Sequence, residues 1–213
     1  GPDLNGNLGN VINWFQDGKS ILAKFVPKDR PKILSAENII PNGPTISTND
    51  GKKAQNRTYQ DLLKNKNDER NFEILVNSEL YKVTLKGGKR LWKKMNMYNN
   101  ISFSPDGDFV MISIIQKPFS YLVPYYRFPS KNLIFSSTGR EIKLLADIPL
   151  IEDLPKGFMA VRKGDRSFSW RLDKPSSIYF VRALDDGDPV NEVEFRDEVF
   201  QLDAPFKDDP VSI

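Results

Sequence analysis

The sequence predicts an all-β chain made of repeated antiparallel four-stranded units, and three observations carry that expectation. One pattern occurs three times, as "NWFQDGKSILAKF" (13–25), "SFSPDGDFVMISI" (102–114) and "SWRLDKPSSIYFV" (169–181). Each copy has an aromatic in second place, an Asp in fifth and an apolar run from about the ninth, which reads as a strand, a tight turn and a second strand. Hairpins of another style stand between the copies, "SELYKVTLKGGKRLWKK" (78–94) and "KNLIFSSTGREIKLLADIP" (131–149). The totals agree, because 39% hydrophobic and 11% aromatic content over 213 residues is enough to bury a core.

In the first two copies, Asp17-Gly18 and Asp106-Gly107 supply the residues that accept positive φ at a hairpin turn. Asp173-Lys174-Pro175 takes their place in the third, so a different turn is expected, with Pro175 outside the strands because it has no N–H for a ladder. In the second style of hairpin, Leu80, Val83 and Leu85 precede Gly87-Gly88, and Leu91 and Trp92 follow. Likewise Leu133, Ile134 and Phe135 precede Thr138-Gly139, and Ile142, Leu144 and Leu145 follow. A third hairpin of this kind begins at "DEVFQLDAPF" (197–206).

Two hairpins make one four-stranded sheet that cannot cover its own faces, so successive sheets stack as blades. The fold class expected is therefore a partial β-propeller of about two to three antiparallel four-stranded blades with a short helical insertion. Its blade hairpins fall near 11–26 and 78–94, 99–116 and 131–149, and 167–183 and 195–206, within one domain over 1–213.

The copies lie roughly 90 and 65 residues apart, more than the ~40–45 of a compact blade, so insertions are required. Residues 26–58 are rich in Pro, Asn, Gly and Lys without sustained periodicity, and 27–77 is expected to be an inserted loop with a short helix. Thr58 with Asp61 resembles a helix N-cap ahead of Leu62 and Leu63, placing the helix at 59–65, with a further turn near 69–76. In the second insertion, 150–166, Pro155 and Gly157 break any regular element.

The totals also exclude. With 31 basic and 28 acidic residues the net charge is +3, too little to announce a nucleic-acid or membrane partner. No run approaches the ~18 apolar residues of a membrane span. The chain has no histidine and no cysteine, which rules out a Ser-His-Asp triad, a thiolate nucleophile and the usual zinc ligand sets within it. No cofactor and no metal site is expected.

Four blocks go further: "TYQDLLKNKNDERNFE" (58–73), "KPFSYLVPYYRFP" (117–129), "LADIPLIEDLP" (145–155) and "VRKGDRSFSWRLDKPSSIYFVRALDDGDP" (161–189). Together with "SPDG" they resemble the propeller of the glutamyl endopeptidase branch of the prolyl oligopeptidase-family serine peptidases. The resemblance implies a parent enzyme in which an N-terminal propeller precedes an α/β-hydrolase domain with the catalytic Ser, Asp and His. This chain matches only part of the propeller and has no G-x-S-x-G nucleophile elbow. It is expected to be a piece of a longer protein, with the hydrolase domain outside it. The partners implied are a peptide substrate and that hydrolase domain, and the open blade edges invite a dimer or a swap. A bacterial periplasmic or secreted setting is the expectation for its compartment, with the native N-terminus removed.

Candidate substrate-binding residues are Arg127, Arg162, Arg166 and Arg171, because Arg holds a carboxylate in a bidentate pair. The alternative for each is an ion pair between blades, to Asp147, Glu152, Asp153 or Asp173. Tyr125 and Tyr126 belong to the aromatic and proline-rich 117–129 stretch, which lines a peptide surface or packs a blade. The lysines of "KGGKRLWKK" (86–94) read as a solvated hairpin tip and not as a nucleic-acid contact. The carboxylates of "LDDGDP" (184–189) read as a solvated turn, since the EF-hand spacing is missing. "NRT" (56–58) and "NIS" (100–102) fit the glycosylation acceptor pattern. The function expected is that of a non-catalytic propeller segment that gates and helps bind peptides for a separate hydrolase domain. A self-standing protein-binding or scaffold module is the alternative.

Overall fold

A computed structural model describes residues 3–35 and 59–213. Among these residues, twelve strands form three separate four-stranded antiparallel sheets, and in each the strands pair in chain order. The first sheet holds β1 (Ile12–Trp14), β2 (Ser20–Phe25), β3 (Ser78–Thr84) and β4 (Lys89–Asn96). The second holds β5 (Tyr98–Phe103), β6 (Phe109–Ile115), β7 (Ser130–Ser136) and β8 (Glu141–Ile148). The third holds β9 (Asp165–Trp170), β10 (Ser177–Ala183), β11 (Asp197–Asp203) and the two-residue β12 (Val211–Ser212). The fold is all-β and partial-propeller-like.

Alternation along the strands explains how the sheets stack. The middle sheet is apolar on both faces, so it has a neighbour on each side. Ile101, Val110, Ile112 and Leu133 pack against Phe15, Leu22, Leu80 and Trp92 of the first sheet. Met111 and Ile134, pointing the other way, pack against Trp170, Ile178, Phe180 and Leu202 of the third. Among the described residues, the two outer sheets each leave a face uncovered: Trp14 is 57% exposed on the first and Val211 65% on the third.

Consecutive antiparallel pairing puts the connections alternately at the two ends of the strands, and this gives the molecule two unlike rims. At one rim lie the tight turns, with Gly18 and Gly107 both at positive φ (59° and 79°) as their Asp-Gly positions require. These turns touch in a row. A Cβ on Gly107 would stand 2.6 Å from Gln16 Cβ in the β1–β2 turn. Asp106 N donates to Pro175 O (3.1 Å) and Ser176 Oγ donates to the Asp106 carboxylate, joining the β5–β6 turn to the β9–β10 turn.

At the other rim are the described residues 26–35 and 59–77, the long connections 116–129, 149–164 and 184–196, and the only α-helix among the described residues, α1 (Lys66–Val76). The helix begins after Asn65 and not at 59, which corrects the expected placement. Asn65 Oδ1 accepts the N–H groups of Asn67 and Asp68 (2.9 and 3.0 Å), while Asp61 sits at φ 57°, outside helical geometry. The expected turn at 69–76 is the body of this helix; Thr58 lies outside the described residues. Helix α1 closes the rim by packing Phe72 against Phe119 and Phe128 (ring centres 5.1 and 5.7 Å apart). Lys117 Nζ reaches Glu73 at 2.7 Å.

Candidate functional site

Two β-bulges position the chemistry between the second and third sheets. In β5 the register with β6 slips between Tyr98 and Ile101, and in β9 the register with β10 slips opposite Tyr179 and Val181. Ser167, in the second bulge, holds φ 58°, a conformation that non-glycine residues adopt at a cost. Bulges re-aim side chains. These two turn Asn100 and the Arg166–Phe168 stretch towards a common space, which divides into two clefts that share Asn100, Met111 and Phe168.

The larger cleft, about 580 Å³, runs towards the tight-turn rim and is lined by Trp170, Arg171, Asp173 and Tyr179. Its cation is already engaged. Arg171 Nε and Nη2 donate to the two Asp173 oxygens (3.0 and 2.5 Å), and Nη1 donates to Gln201 Oε1. The hydrogen bonds with Asp173 hold the Arg171 guanidinium above its ordinary range and the Asp173 carboxyl below its own.

The smaller cleft, about 200 Å³, lies towards the long-loop rim and is lined by Asn100, Ser113, Asn132, Arg162, Arg166 and Ser167, with Met111, Ile148 and Phe168 as its apolar wall. Arg166 Nη2 reaches Asp197 Oδ1 at 2.6 Å, within the same sheet. Arg162 donates only to the carbonyl oxygens of Lys163 and Asp165. Burial first, and the neighbouring Arg166 guanidinium second, push Arg162 below its ordinary range, with Asp165 opposing. Asp165 itself is bound by Arg182, Nε and Nη2 at 2.6 and 3.0 Å. A third cleft of about 310 Å³ adjoins Arg162 along 149–155.

The four candidate arginines are thus separated. Arg162 and Arg166 share one cleft, and Arg171 lies in the other. The Arg127 side chain is buried, its guanidinium 5.3 Å from the Tyr59 ring centre, while its carbonyl accepts from Ile151 N at 3.0 Å. Tyr125 and Tyr126 stand on a short 3-10 turn (Tyr125–Arg127) with Tyr126 64% exposed, so the aromatic stretch divides: Phe119 and Phe128 pack inward and the tyrosines face out. In 184–189, Asp185 is not a solvated carboxylate. It is buried and accepts from Arg196 Nε at 2.5 Å and Gly187 N at 2.8 Å. Of the acceptor motifs, Asn100 lies on β5 in the clefts, and Asn56 lies outside the described residues.

Asn132, Ser113 and Ser167 carry no signal of residue type in the sequence, and Asn100 carries only the glycosylation acceptor pattern. One signal was available in the doubled Asn99-Asn100 inside a strand, a residue type that strands disfavour.

No family model matches the chain. Over 184 residues, 86% of its length, it is 38% identical to a protein of Oryza sativa subsp. japonica named probable glutamyl endopeptidase, chloroplastic. Over 189 residues, 88% of its length, it is 35% identical to a protein of the same name from Arabidopsis thaliana. The chain is related to the glutamyl endopeptidases of the prolyl oligopeptidase family. The match is partial on the other side, because the chain spans about one fifth of each relative (19% and 20%). A glutamyl endopeptidase-related segment without histidine can contain all of the clefts above and none of the triad chemistry.

Proposed function

We propose that this segment is a non-catalytic wall of a serine peptidase, one that gates access and helps bind peptide substrates for a separate α/β-hydrolase domain. The observation that carries the reading is the unequal distribution of chemistry between the rims. At the tight-turn rim Asp17, Asp106 and Arg171 are each engaged within the chain, whereas the long-loop rim presents exposed Tyr125 and Tyr126 and opens onto the cleft holding Arg162 and Arg166. Aromatic rings and prolines at a rim suit an extended peptide, and polar groups in an inter-sheet cleft suit its side chains. Catalysis would come from outside these residues.

The test is peptide binding by the 213-residue chain, followed residue by residue in NMR spectra, together with a cleavage assay on the same sample. Binding of an unstructured peptide should shift the signals of Tyr125, Tyr126 and Ser167 and leave the peptide intact. Cleavage by the chain alone, or binding confined to the uncovered face of the first sheet around Trp14, would overturn the reading. The second outcome would instead favour a protein-docking module.

A further inference from the structure

We propose that the uncovered face of the first sheet takes the uncovered face of the third sheet from a second copy of this chain, so that two chains close head to tail into a ring of six sheets. This goes beyond the peptide-binding reading and does not depend on it. It carries the stacking seen inside the chain one step past each end of the stack.

Residues directly opposite across a ladder share a face. Trp14 pairs with Ile21 and Ile21 with Val83, while Ile12 pairs with Ala23, Ala23 with Tyr81 and Tyr81 with Leu91. These positions alternate with Leu22 and Leu80, which pack on the second sheet. The first sheet is therefore apolar on both faces, as the middle sheet is, yet Ile12, Trp14 and Leu91 are exposed among the described residues. The internal repeat says what kind of neighbour suits them. Trp14 pairs with Ile21 across its turn as Trp170 pairs with Ile178 across the third. Trp170 is only 6% exposed, because it packs with Met111 and Ile134 of the second sheet, and its Nε1 donates to Ser102 O and Oγ (3.3 and 3.2 Å). Trp14 is the same group without a sheet over it.

The outer face of the third sheet has the matching parts. Ser169 opens the third copy of the repeat as Ser102 opens the second, and it pairs with Tyr179 as Ser102 pairs with Met111. Gln201 and Val211 continue that row, with Val181 and Val199 paired beside it. All point away from Ile178 and Phe180, which pack on the second sheet, and Tyr179 also borders the larger cleft. Seating the first sheet on this face, as the third sits on the second, brings Trp14 of one copy to Ser169 of the other. The turns add a charge match. Asp106, fifth residue of its copy, meets Pro175 and Ser176 in the internal junction. Asp173 is the fifth residue of the third copy, and Lys19 precedes Ile21 by two as Ser176 precedes Ile178. The same seating sets Lys19 of one copy against Asp173 of the other, both exposed and opposite in charge. Contacts of this head-to-tail kind close into rings. Two copies of three sheets give six, within the ~4–8 blades of closed propellers, and closure covers both faces of each chain at once.

Sedimentation of the 213-residue chain over a range of concentrations, with tryptophan emission read on the same samples, tests the ring. The one-chain mass should give way to a two-chain mass that grows no further. Emission should move to the blue as it forms, since Trp14 is exposed whereas Trp92 and Trp170 are buried. Trp14→Glu and Val211→Glu, one on each face, should each weaken association about tenfold or more and leave the far-ultraviolet dichroism unchanged. Lys19→Glu should weaken it as well, and Asp173→Lys added to the same chain should restore it. Should one face variant fail to fold, the other decides together with the charge exchange. A one-chain mass at every concentration would overturn the proposal and leave the face to sheets outside these residues. A mass that climbs without limit, indifference to Val211→Glu, which would mean first sheet meeting first sheet, or no rescue by the charge exchange would each overturn it too.

Discussion

The two rims of this molecule solve the same problem, holding neighbouring sheets together, with opposite chemistry. At the tight-turn rim the junction between the second and third sheets is closed by an anion. Asp106 accepts Ser104 Oγ at 2.6 Å, Asp108 N at 3.1 Å and Ser176 Oγ from the neighbouring sheet. At the long-loop rim the junction between the first and second sheets is closed by a cation. Lys24, 1% exposed, sends Nζ to the carbonyl oxygens of Leu8, Tyr98 (3.2 Å) and Asn99 (3.4 Å), with no carboxylate in the set. The anion is surrounded by donors that suit it and costs little to keep. The cation is held only by dipoles in a buried place, and burial brings its pKa down to about 8.

The largest expected effect tests whether the rims belong to one cooperative unit. Ile112 is fully buried in the central sheet, between Ile101 and Leu133 across the ladder. Ile112→Ala should cost about 2–5 kcal/mol through lost burial and the cavity left behind. Urea unfolding followed by tryptophan fluorescence and by far-ultraviolet dichroism should move together. Two separated transitions would show that the sheets unfold independently and that the rims are not coupled.

Next comes the cation. The folded pKa of Lys24 lies near 8 against 10.5 for the free side chain, so between these values the unfolded chain binds more protons than the folded one. Stability should therefore rise as pH increases from about 8 to about 10.5, by up to about 3 kcal/mol. Lys24→Met should flatten that slope, as read from urea midpoints across the range. A slope that persists in the variant would assign it to other groups and remove the contrast.

The anion gives a smaller effect in another window. Burial alone would raise the Asp106 carboxyl, but the hydrogen bonds from Ser104, Ser176 and Asp108 outweigh it and leave the group below its usual range. Its contribution is present above the unfolded carboxylate value and fades as pH falls through the depressed folded one. Asp106→Ala should cost about 1–3 kcal/mol at neutral pH, because it strands the hydroxyl of Ser176 and leaves that of Ser104 only its 3.3 Å bond to Phe109 O. The difference from the unaltered chain should shrink in acid, and a deficit unchanged at pH 2 would assign the loss to packing and not to the charge.

The same division governs what could be read from residues alone. The tight-turn rim was legible because its information is local: Asp-Gly pairs, Thr138-Gly139 and the alternating strands on either side carry their own conformational preferences. Helix α1 was misplaced by local reasoning. Thr58 and Asp61 make an acceptable cap on paper, but the packing of Phe72 on Phe119 and Phe128, residues 47 and 56 positions on, favours the register that begins after Asn65. The candidate site was half legible. Arg162 and Arg166 stood out by type, whereas Asn100, Ser113 and Asn132 join them only through sheet stacking and two bulges, which no short stretch encodes.

The smallest expected effect sharpens the comparison most directly, because it asks whether the long-loop rim is held at all by its surface charges. Lys163 Nζ lies 2.9 Å from Asp186 Oδ2, joining the 149–164 and 184–196 connections, with the two side chains 73% and 61% exposed. An ion pair so open to water gains little after solvent screening and the ordering of two flexible side chains. Lys163→Ala should therefore change stability by no more than about 0.5 kcal/mol. Beneath it, the same two connections are joined by Val161 N to Gly187 O at 3.0 Å and by Arg196, which bridges buried Asp185 and Met159 O. The loop geometry around Arg162 should then survive Lys163→Ala, with amide exchange at Val161 and Gly187 unchanged. Faster exchange at those two amides would mean that surface charge organises this rim, and the contrast with the hydrogen-bonded turns opposite would be one of degree.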